Sequence, residues 1–422
     1  MTSKLPVRAN AVTELAKMLV AGGISTDALA NAPTIGDIRQ LAKRRIPKMA
    51  FDFADGGADA ENTLRANTGD LAKVTFVPQS LVDVSEQQLK TTVAGEELPL
   101  PLMLGPAGSV RIFGGDGELS AVRAAGQAGL TYTISTASSW SIEEIAAEAT
   151  GPLWFQLYMW RSRDTVRTLV ERAAAAGCTA LVVTVDVPVN GKRARDHRNG
   201  MSIPPKVTLR NAMGVARHPK WFASLMRGPA IGFRNLEGIA EGSSAMSHQE
   251  YINTELVNLS ATWDDIAWLR SIWTGPLFVK GVMSLSDAHS AAGAGADGVV
   301  VSNHGGRQLD GLPSSISVLP RIVDALGDRL SIIFDGGVRS GGDVLKAKAL
   351  GADAVALGRS WVWGAAAAGG RGVQRVIDIY RSELRESLIL LGLDNVENID
   401  RSFVNFPPEW SRPEGSRDLQ VR

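Results

Sequence analysis

Eight short apolar runs rich in β-branched residues constrain this chain more than any other feature. They are PLMLGPAG (101–108), TYTISTAS (131–138), LWFQLYM (153–159), ALVVTVDV (180–187), PLFVKGV (276–282), DGVVVSNHGG (297–306), LSIIFDGG (330–337) and AVALGRS (354–360). Each closes on glycine or polar residues, and alanine-rich helical patterns such as RDTVRTLVERAAAAG and SGGDVLKAKALGA lie between them. Strand then helix, repeated, predicts an α/β protein with a parallel sheet and crossover helices. Eight units closing on themselves form a (β/α)8 TIM barrel. A doubly wound open sheet is the alternative. The units do not share one motif, so they are not a solenoid array.

One interval breaks the rhythm. Between Val187 and Thr262 no clean strand–helix unit occurs, and Pro204, Pro205, Pro219 and Pro229 punctuate it. Long loops inside compact domains are functional or disordered. The expected organisation is a single barrel domain over residues 1–406, with an insertion at about 188–261 after the fourth strand. A helical N-terminal extension fills the first hundred residues, and 407–422 form a disordered tail. Apolar residues make up 45% of the 422 and charged residues 21%, as in soluble globular proteins. Formal net charge is zero, which removes any global pull toward nucleic acid. Cys178 is the only cysteine, so no intramolecular disulfide can form, in keeping with a reducing cytoplasm. The N-terminal MTSKLPVRANAVTEL lacks the apolar segment of a signal peptide. No apolar run reaches the roughly 18 residues of a spanning helix.

In such a barrel the active site lies at the C-terminal ends of the strands. That rule selects among few candidates. Of five histidines, His197, His218 and His248 fall in the insertion and His289 in a helical stretch; only His304 follows a strand. Of four tyrosines, only Tyr158 sits near a strand end. Gln156, Thr184, Asp186 and Lys280 also sit at strand ends, and Arg193 follows Asp186 by seven residues. Each alone has a structural reading, but together they converge on one rim. The loops FDGGVRSGGD and LGRS, after the seventh and eighth strands, stand where such barrels bind phosphate. Gly336, Gly337, Gly341, Gly342 and Gly358 open the backbone to an anion, and Arg339 and Arg359 supply charge. A pair of tight turns is the bland alternative. No GxGxxG follows an early strand and no GxxxxGK[ST] occurs, so neither a nicotinamide site nor a P-loop is supported. No motif calls for a metal.

The motifs SNHGGRQLD, WFQLY, TVDVP, VKGV and FDGGVRSGGDVLKAKALGA, in this order from about Thr34 to Gly392, resemble the FMN-dependent 2-hydroxy acid dehydrogenase and oxidase family. That family includes glycolate oxidase, L-lactate dehydrogenase, lactate monooxygenase and (S)-mandelate dehydrogenase. VNGKRARD and ARHPKWFASLMRG are most similar to the mandelate and lactate branches. The resemblance implies FMN at the strand ends of a barrel, and oxidation of an (S)-2-hydroxy acid by two-electron transfer to it. It implies that His304 is the base and that Asp186 stabilises its cation. Arg307 and Arg193 would take the substrate carboxylate, and Tyr158 would bond the substrate oxygen. Lys280 would stand beside the flavin N1–C2=O edge. Pro106, Ala107, Gly108, Ser135, Gln156, Thr184 and Ser302 would meet the flavin ring. Asp335, Gly336, Gly337, Arg339, Gly358 and Arg359 would meet its ribityl phosphate. The family is commonly tetrameric, so a homo-oligomer is implied.

Two positions bear on specificity. The family pattern YDYxxGGA reads FDFADGGA here, placing Phe53 where a tyrosine donates to the substrate carboxylate. One bond to a charged group is worth roughly 1.5–3 kcal/mol. The loss weakens substrate binding, suits a larger substrate, or is offset by a neighbour. In Pro106-Ala107-Gly108, the third residue leans toward a dehydrogenase, since fast oxidases of the family tend to carry alanine there.

From His197 to Leu236 the insertion has no acidic residue, and Lys206, Arg210, Arg217, Lys220, Arg227 and Arg234 alternate with Trp221, Phe222, Leu225, Met226 and Phe233. A basic stretch with apolar anchors suits a membrane interface. The segment 206–234 is therefore expected to attach peripherally to the inner face of the plasma membrane, with a quinone as electron acceptor. A lid or an oligomer contact are the alternatives. No nucleic-acid module is present. The rival readings are an oxygen-using oxidase or monooxygenase and a non-catalytic, membrane-associated flavin-binding protein.

Overall fold

A computed structural model describes residues 27–201, 208, 211–237 and 258–412. Its centre is a closed barrel of eight parallel strands, which settles the choice against an open sheet. The strands are β1 (Leu102–Leu104), β2 (Tyr132–Ser135), β3 (Leu153–Tyr158), β4 (Ala180–Thr184), β5 (Leu277–Val282), β6 (Gly298–Val301), β7 (Ser331–Phe334) and β8 (Ala354–Leu357). Val355 of β8 pairs with Leu102 of β1 and closes the ring. The strands are mostly apolar because both faces are covered, as parallel strands wrapped by helices require, and Ser135, Gln156, Thr184 and Lys280 interrupt them toward their C-terminal ends.

Alternate residues point inward and fill the lumen. Met103, Trp154, Val182, Phe278, Val300 and Ile333 form one buried cluster, with the Trp154 and Phe278 rings stacked at 4.8 Å. A Cβ on Gly298 would come within 2.2 Å of the Phe278 ring, so that position must be glycine. A hairpin, Thr91–Val93 with Glu96–Leu98, plugs the N-terminal end of the barrel. Glu96 accepts bonds there from Thr131 Oγ1 (2.5 Å), Trp154 Nε1 (3.2 Å) and Thr179 Oγ1 (3.2 Å). With one end filled and plugged, the opposite rim is the place left for a site.

The N-terminal extension supplies α1 (Ile35–Arg45), α2 (Lys48–Asp55) and α3 (Asn62–Leu71). It is not wholly helical: besides the hairpin, Thr75–Phe76 pairs antiparallel with Val404–Asn405. The expected tail is also shorter than the sequence suggests. Pro408–Ser411 forms a 3-10 turn with Trp410 buried, since two aromatics, Phe406 and Trp410, give this stretch a core contact. Residues 413–422 lie outside the described residues, as do 1–26.

The insertion includes α4 (Ala194–Asn199) and α5 (Pro219–Met226). Trp221 is buried and donates from Nε1 to Ile112 O at 2.9 Å. Arg111 donates from Nη2 to Leu225 O at 3.0 Å and from Nη1 to Pro229 O. The described part is therefore docked on the barrel rather than hanging from it. Lys206 and Arg210 lie outside the described residues.

Candidate active site

The C-terminal rim encloses a cavity of about 670 Å³. Strand register sets its floor. Ser135 lies opposite Gln156, Tyr158 opposite Thr184, and Thr184 opposite Lys280. A polar chain runs across these buried ends: Ser135 Oγ to Gln156 Oε1 at 3.1 Å, then Gln156 Nε2 to Thr184 Oγ1 at 3.0 Å. Lys280 donates to Ser302 Oγ at 2.7 Å and lies 3.0 Å from Asp335. Burial alone would lower the Lys280 pKa, but the charges of Asp335 and Asp186 prevail and raise it, so it stays a cation. Lys280 does not end its strand as expected. β5 runs on to Val282, with an irregularity in its pairing between Lys280 and Val282.

That irregularity serves Asp186. Gly281 has φ +106°, and a Cβ there would lie 2.7 Å from the Asp186 side chain. The glycine lets β5 pass close under the carboxylate. Asp186 Oδ1 accepts from His304 Nδ1 at 3.0 Å. Burial pushes the Asp186 pKa up, but His304 and Lys280 outweigh it and hold the carboxyl below its usual range. His304 itself has φ +56°, a left-handed conformation rare for a non-glycine residue. Such strain costs about 1–3 kcal/mol and concentrates at functional sites. Here the His304 N–H bond to Ser302 Oγ (3.1 Å) and the Asp186 contact fix it.

Gly305 and Gly306 also have positive φ, but protein atoms, not a ligand, exclude their side chains. A Cβ on Gly305 would meet Arg359 Nη1 at 2.5 Å, and one on Gly306 would meet Leu64 N at 2.6 Å. The same correction applies elsewhere. A Cβ on Gly337 would lie 2.1 Å from Asn67 O, and Gly341 N–H donates to Glu383 Oε2 at 2.7 Å. Gly341 and Gly342 do not line the cavity. At Gly358 a Cβ would meet nothing, because it faces open cavity.

Four guanidinium groups line this cavity: Arg193, Arg307, Arg339 and Arg359. Arg193 pairs with Asp196 at 3.0 Å. Among the described residues no carboxylate pairs with the other three. Arg307 donates to Phe53 O (2.7 Å) and Gly56 O (3.1 Å), and Arg359 to Ala54 O (3.1 Å) and Gly56 O (2.8 Å). Both thus hold the carbonyls at the C-terminal end of α2, where the helix dipole is negative. Burial and then the neighbouring Arg193 and Arg359 push the Arg307 pKa well down. Burial and Arg339 bring Arg359 to about 10. Such an excess of recessed positive charge fits anionic ligands. The open backbone at Gly358 and the adjoining Arg339 and Arg359 fit a phosphate, so the residues present suit FMN.

Phe53 lies between two of these cations. Arg193 is 5.5 Å and Arg307 5.3 Å from its ring centroid, and the Phe113 ring stacks at 6.2 Å. Its face holds the two arginines in place of a hydroxyl. Tyr158 is half-buried in the same cavity, and its desolvation followed by Asp186 raises its pKa, keeping the phenol protonated as a donor. Pro106, Ala107, Gly108, Asp335 and Gly336 line the cavity too, whereas Asp186 and Ser302 stand behind it.

Several residues here carried no sequence signal. Gln308 donates to Asp186 O and Val189 O and accepts from Gly191 N, pinning the loop after β4 to the loop after β6. Asp310 caps α3 from across the chain, accepting from Ala60 N, Asn62 Nδ2 and Thr63 N. Both lie in the RQLD end of the histidine motif, so the motif itself was the available clue. Asp196 and His197 line the cavity from α4, a helix the long apolar-poor excursion did not reveal.

The model of the family described as FMN-dependent dehydrogenase matches residues 42–406. An L-lactate dehydrogenase of Caulobacter sp. (strain K31) is 42% identical over 370 residues, covering 87% of this chain and 97% of that protein. A putative L-lactate dehydrogenase of Mycobacterium tuberculosis is 41% identical, covering 89% and 90%. Among solved structures, the monotopic membrane protein (S)-mandelate dehydrogenase superposes with a TM-score of 0.82 at 35% identity, covering 89% and 99%. A mandelate oxidase bound to 3,3-difluoro-2-hydroxy-3-phenylpropionic acid gives 0.74 at 37% identity, covering 88% and 98%.

Proposed function

The chain belongs to the FMN-dependent dehydrogenase family, and from that premise we propose that it oxidises an (S)-2-hydroxy acid to the 2-oxo acid, with His304 as base and a membrane quinone as the final acceptor. The observation that carries this reading is the His304–Asp186 pair, which stands beside guanidinium groups that lack carboxylate partners. FMN, when bound, accepts the two electrons that leave the substrate α-carbon. Everything else falls to the chain. Arg307 and Arg193 hold the substrate carboxylate and so aim its α-carbon. Tyr158 donates to the hydroxyl oxygen. His304 takes a proton at Nε2, because Nδ1 is engaged by Asp186, and the ionised Asp186 stabilises the imidazolium that results. Lys280, fixed by Ser302 and Asp335, would supply positive charge to a flavin held at this floor and so favour its reduction.

The test is anaerobic addition of (S)-2-hydroxy acids to the yellow holoenzyme. Bleaching by one of them supports the reaction; bound flavin that no acid bleaches would leave only the non-catalytic reading. Air is then admitted. Slow recovery of colour supports a dehydrogenase, and recovery within the turnover time supports an oxidase, the activity named for one structural relative.

Peripheral attachment rests on the insertion. Met213, Phe222 and Met226 are exposed beside Arg217, Lys220 and Arg227, while Val215 and Trp221 are buried. Apolar tips ringed by cations suit an anionic bilayer surface. Among the described residues no helix is long and apolar enough to cross a membrane. Flotation with anionic vesicles should carry the protein upward, and serine at 213, 222 and 226 together should leave it at the bottom. Equal flotation of both would remove the insertion from the account.

A further inference from the structure

We propose that Phe233, carried by the insertion, is a specificity-determining residue, and that the site is shaped for 2-hydroxy acids with a large apolar side chain. The proposal rests on the oxidation reading above. The cavity is lined by charged groups, Lys280, Asp335 and the arginines, and by three phenylalanines: Phe53, flanked by two of those arginines, Phe113 stacked on it, and Phe233. Phe53 and Phe113 come from the N-terminal extension and the segment after β1, and stack on one another. Phe233 reaches the same cavity from a segment more than forty residues beyond β4 in the chain.

A loop residue selects a substrate only if its backbone is fixed, and this one is. The next residue, Arg234, donates its N–H to Ser138 O at 3.1 Å. Asn235 is fully buried. Its Nδ2 donates to Ser135 O and Thr136 O, both at 3.2 Å, and its Oδ1 accepts from Ile142 N at 2.7 Å. Its own carbonyl accepts from Arg172 Nη1 at 2.6 Å. The segment is thus locked onto the end of β2, whose Ser135 belongs to the polar floor. On the near side, Arg111 holds Leu225 O and Pro229 O. Phe233 stands between two anchorages, in contact with the main core. Ala137, the residue between the Thr136 and Ser138 anchor points, also lines the cavity and is small.

A methyl-sized side chain would leave the wall formed by Phe233 uncontacted. A phenyl-sized one would bury against it in the edge or offset geometry aromatic rings prefer.

The experiment uses holoenzyme and its Phe233→Ala and Phe233→Leu variants. The second-order rate of anaerobic flavin bleaching is measured with (S)-lactate and (S)-mandelate. The mandelate-to-lactate ratio should fall about tenfold or more in Phe233→Ala, the scale of a lost apolar contact in a specificity pocket, and less in Phe233→Leu. A ratio unchanged in both variants, with flavin retained, would overturn the proposal. Should no hydroxy acid bleach the wild type, the oxidation reading fails by itself. Benzoate and acetate then probe the wall through the shift of flavin absorbance. A benzoate-to-acetate affinity ratio that falls in Phe233→Ala supports the wall, and one that stays constant overturns it.

Discussion

His304 Nδ1 lies 3.0 Å from Asp186 Oδ1, and two unusual backbone features hold them there: a left-handed residue at His304 and a glycine irregularity at Gly281. The pair comes from loops 118 residues apart. Its geometry fixes which imidazole nitrogen is free to take a proton.

Asp186→Asn should keep FMN and slow flavin reduction by about 10²-fold or more, the scale of a positioned acid–base pair. The Asp186 pKa lies below its usual range, so the carboxylate is ionised at neutral pH and the stability it lends is complete above the unfolded value of about 4. That contribution is lost as pH falls through the lower folded value. Stopped-flow reduction and acid unfolding of both proteins check this. The variant should unfold with a weaker dependence on pH below 4.

Lys280→Met should destabilise the protein by about 3–5 kcal/mol, because Asp335 would remain largely buried without its 3.0 Å partner. Thermal unfolding measures the loss. Lys280→Met with Asp335→Asn should recover part of it, since no unpaired charge then remains.

Gly108→Ala should cost about 1–3 kcal/mol. A Cβ there would lie 2.7 Å from Ala137 Cβ and 2.9 Å from Ala137 O, and the second contact is backbone that cannot rotate away. Equal unfolding midpoints for variant and wild type would show that the two loops shift freely. An alanine at this position is therefore a structural change, whatever its effect on oxygen reactivity.

Phe53→Tyr should tighten binding of a simple carboxylate such as oxalate about tenfold, because the ring that would carry the added hydroxyl is flanked by Arg193 and Arg307, which are expected to hold the carboxylate. Titration of the flavin spectrum reads the affinity. Unchanged affinity would mean that the two arginines already satisfy the anion.

Cys178 should resist alkylation in the native protein. It is buried, and burial raises its thiol pKa to about 12, so almost no thiolate exists at neutral pH. Labelling should appear only with unfolding.

The barrel was legible because its signal is local: apolar runs such as ALVVTVDV must be strands buried on both faces. The residues on its rim were legible for the same reason, as a strand end is visible in one dimension. Thr184 ends its strand as that reasoning expected, whereas β5 runs two residues past Lys280 and β3 two past Gln156. What the glycines do was not legible. Gly337 was expected to open the backbone to an anion, yet Asn67, from a distant part of the chain, occupies the space, as Arg359 does at Gly305. Gln308 and Asp310 escaped notice because their partners lie in other loops. The docked turn at Pro408–Ser411 was missed because a proline-rich polar tail hides one buried tryptophan.

The capping of α3 by Asp310 has a consequence in time. Thr63 N and Asp310 Oδ1 are 247 residues apart in sequence, and Gly311 N closes the same contact onto Thr63 Oγ1. The loop that carries His304 is therefore tethered by a closure nearly as long as the Leu102–Val355 pairing that shuts the barrel, and contacts of that span form late because loop entropy must be overcome first. On refolding from denaturant, helical circular dichroism should return well before the ability of substrate to bleach flavin. An Asp310→Ala variant should widen that interval, so that the barrel assembles on schedule while its working loop arrives last.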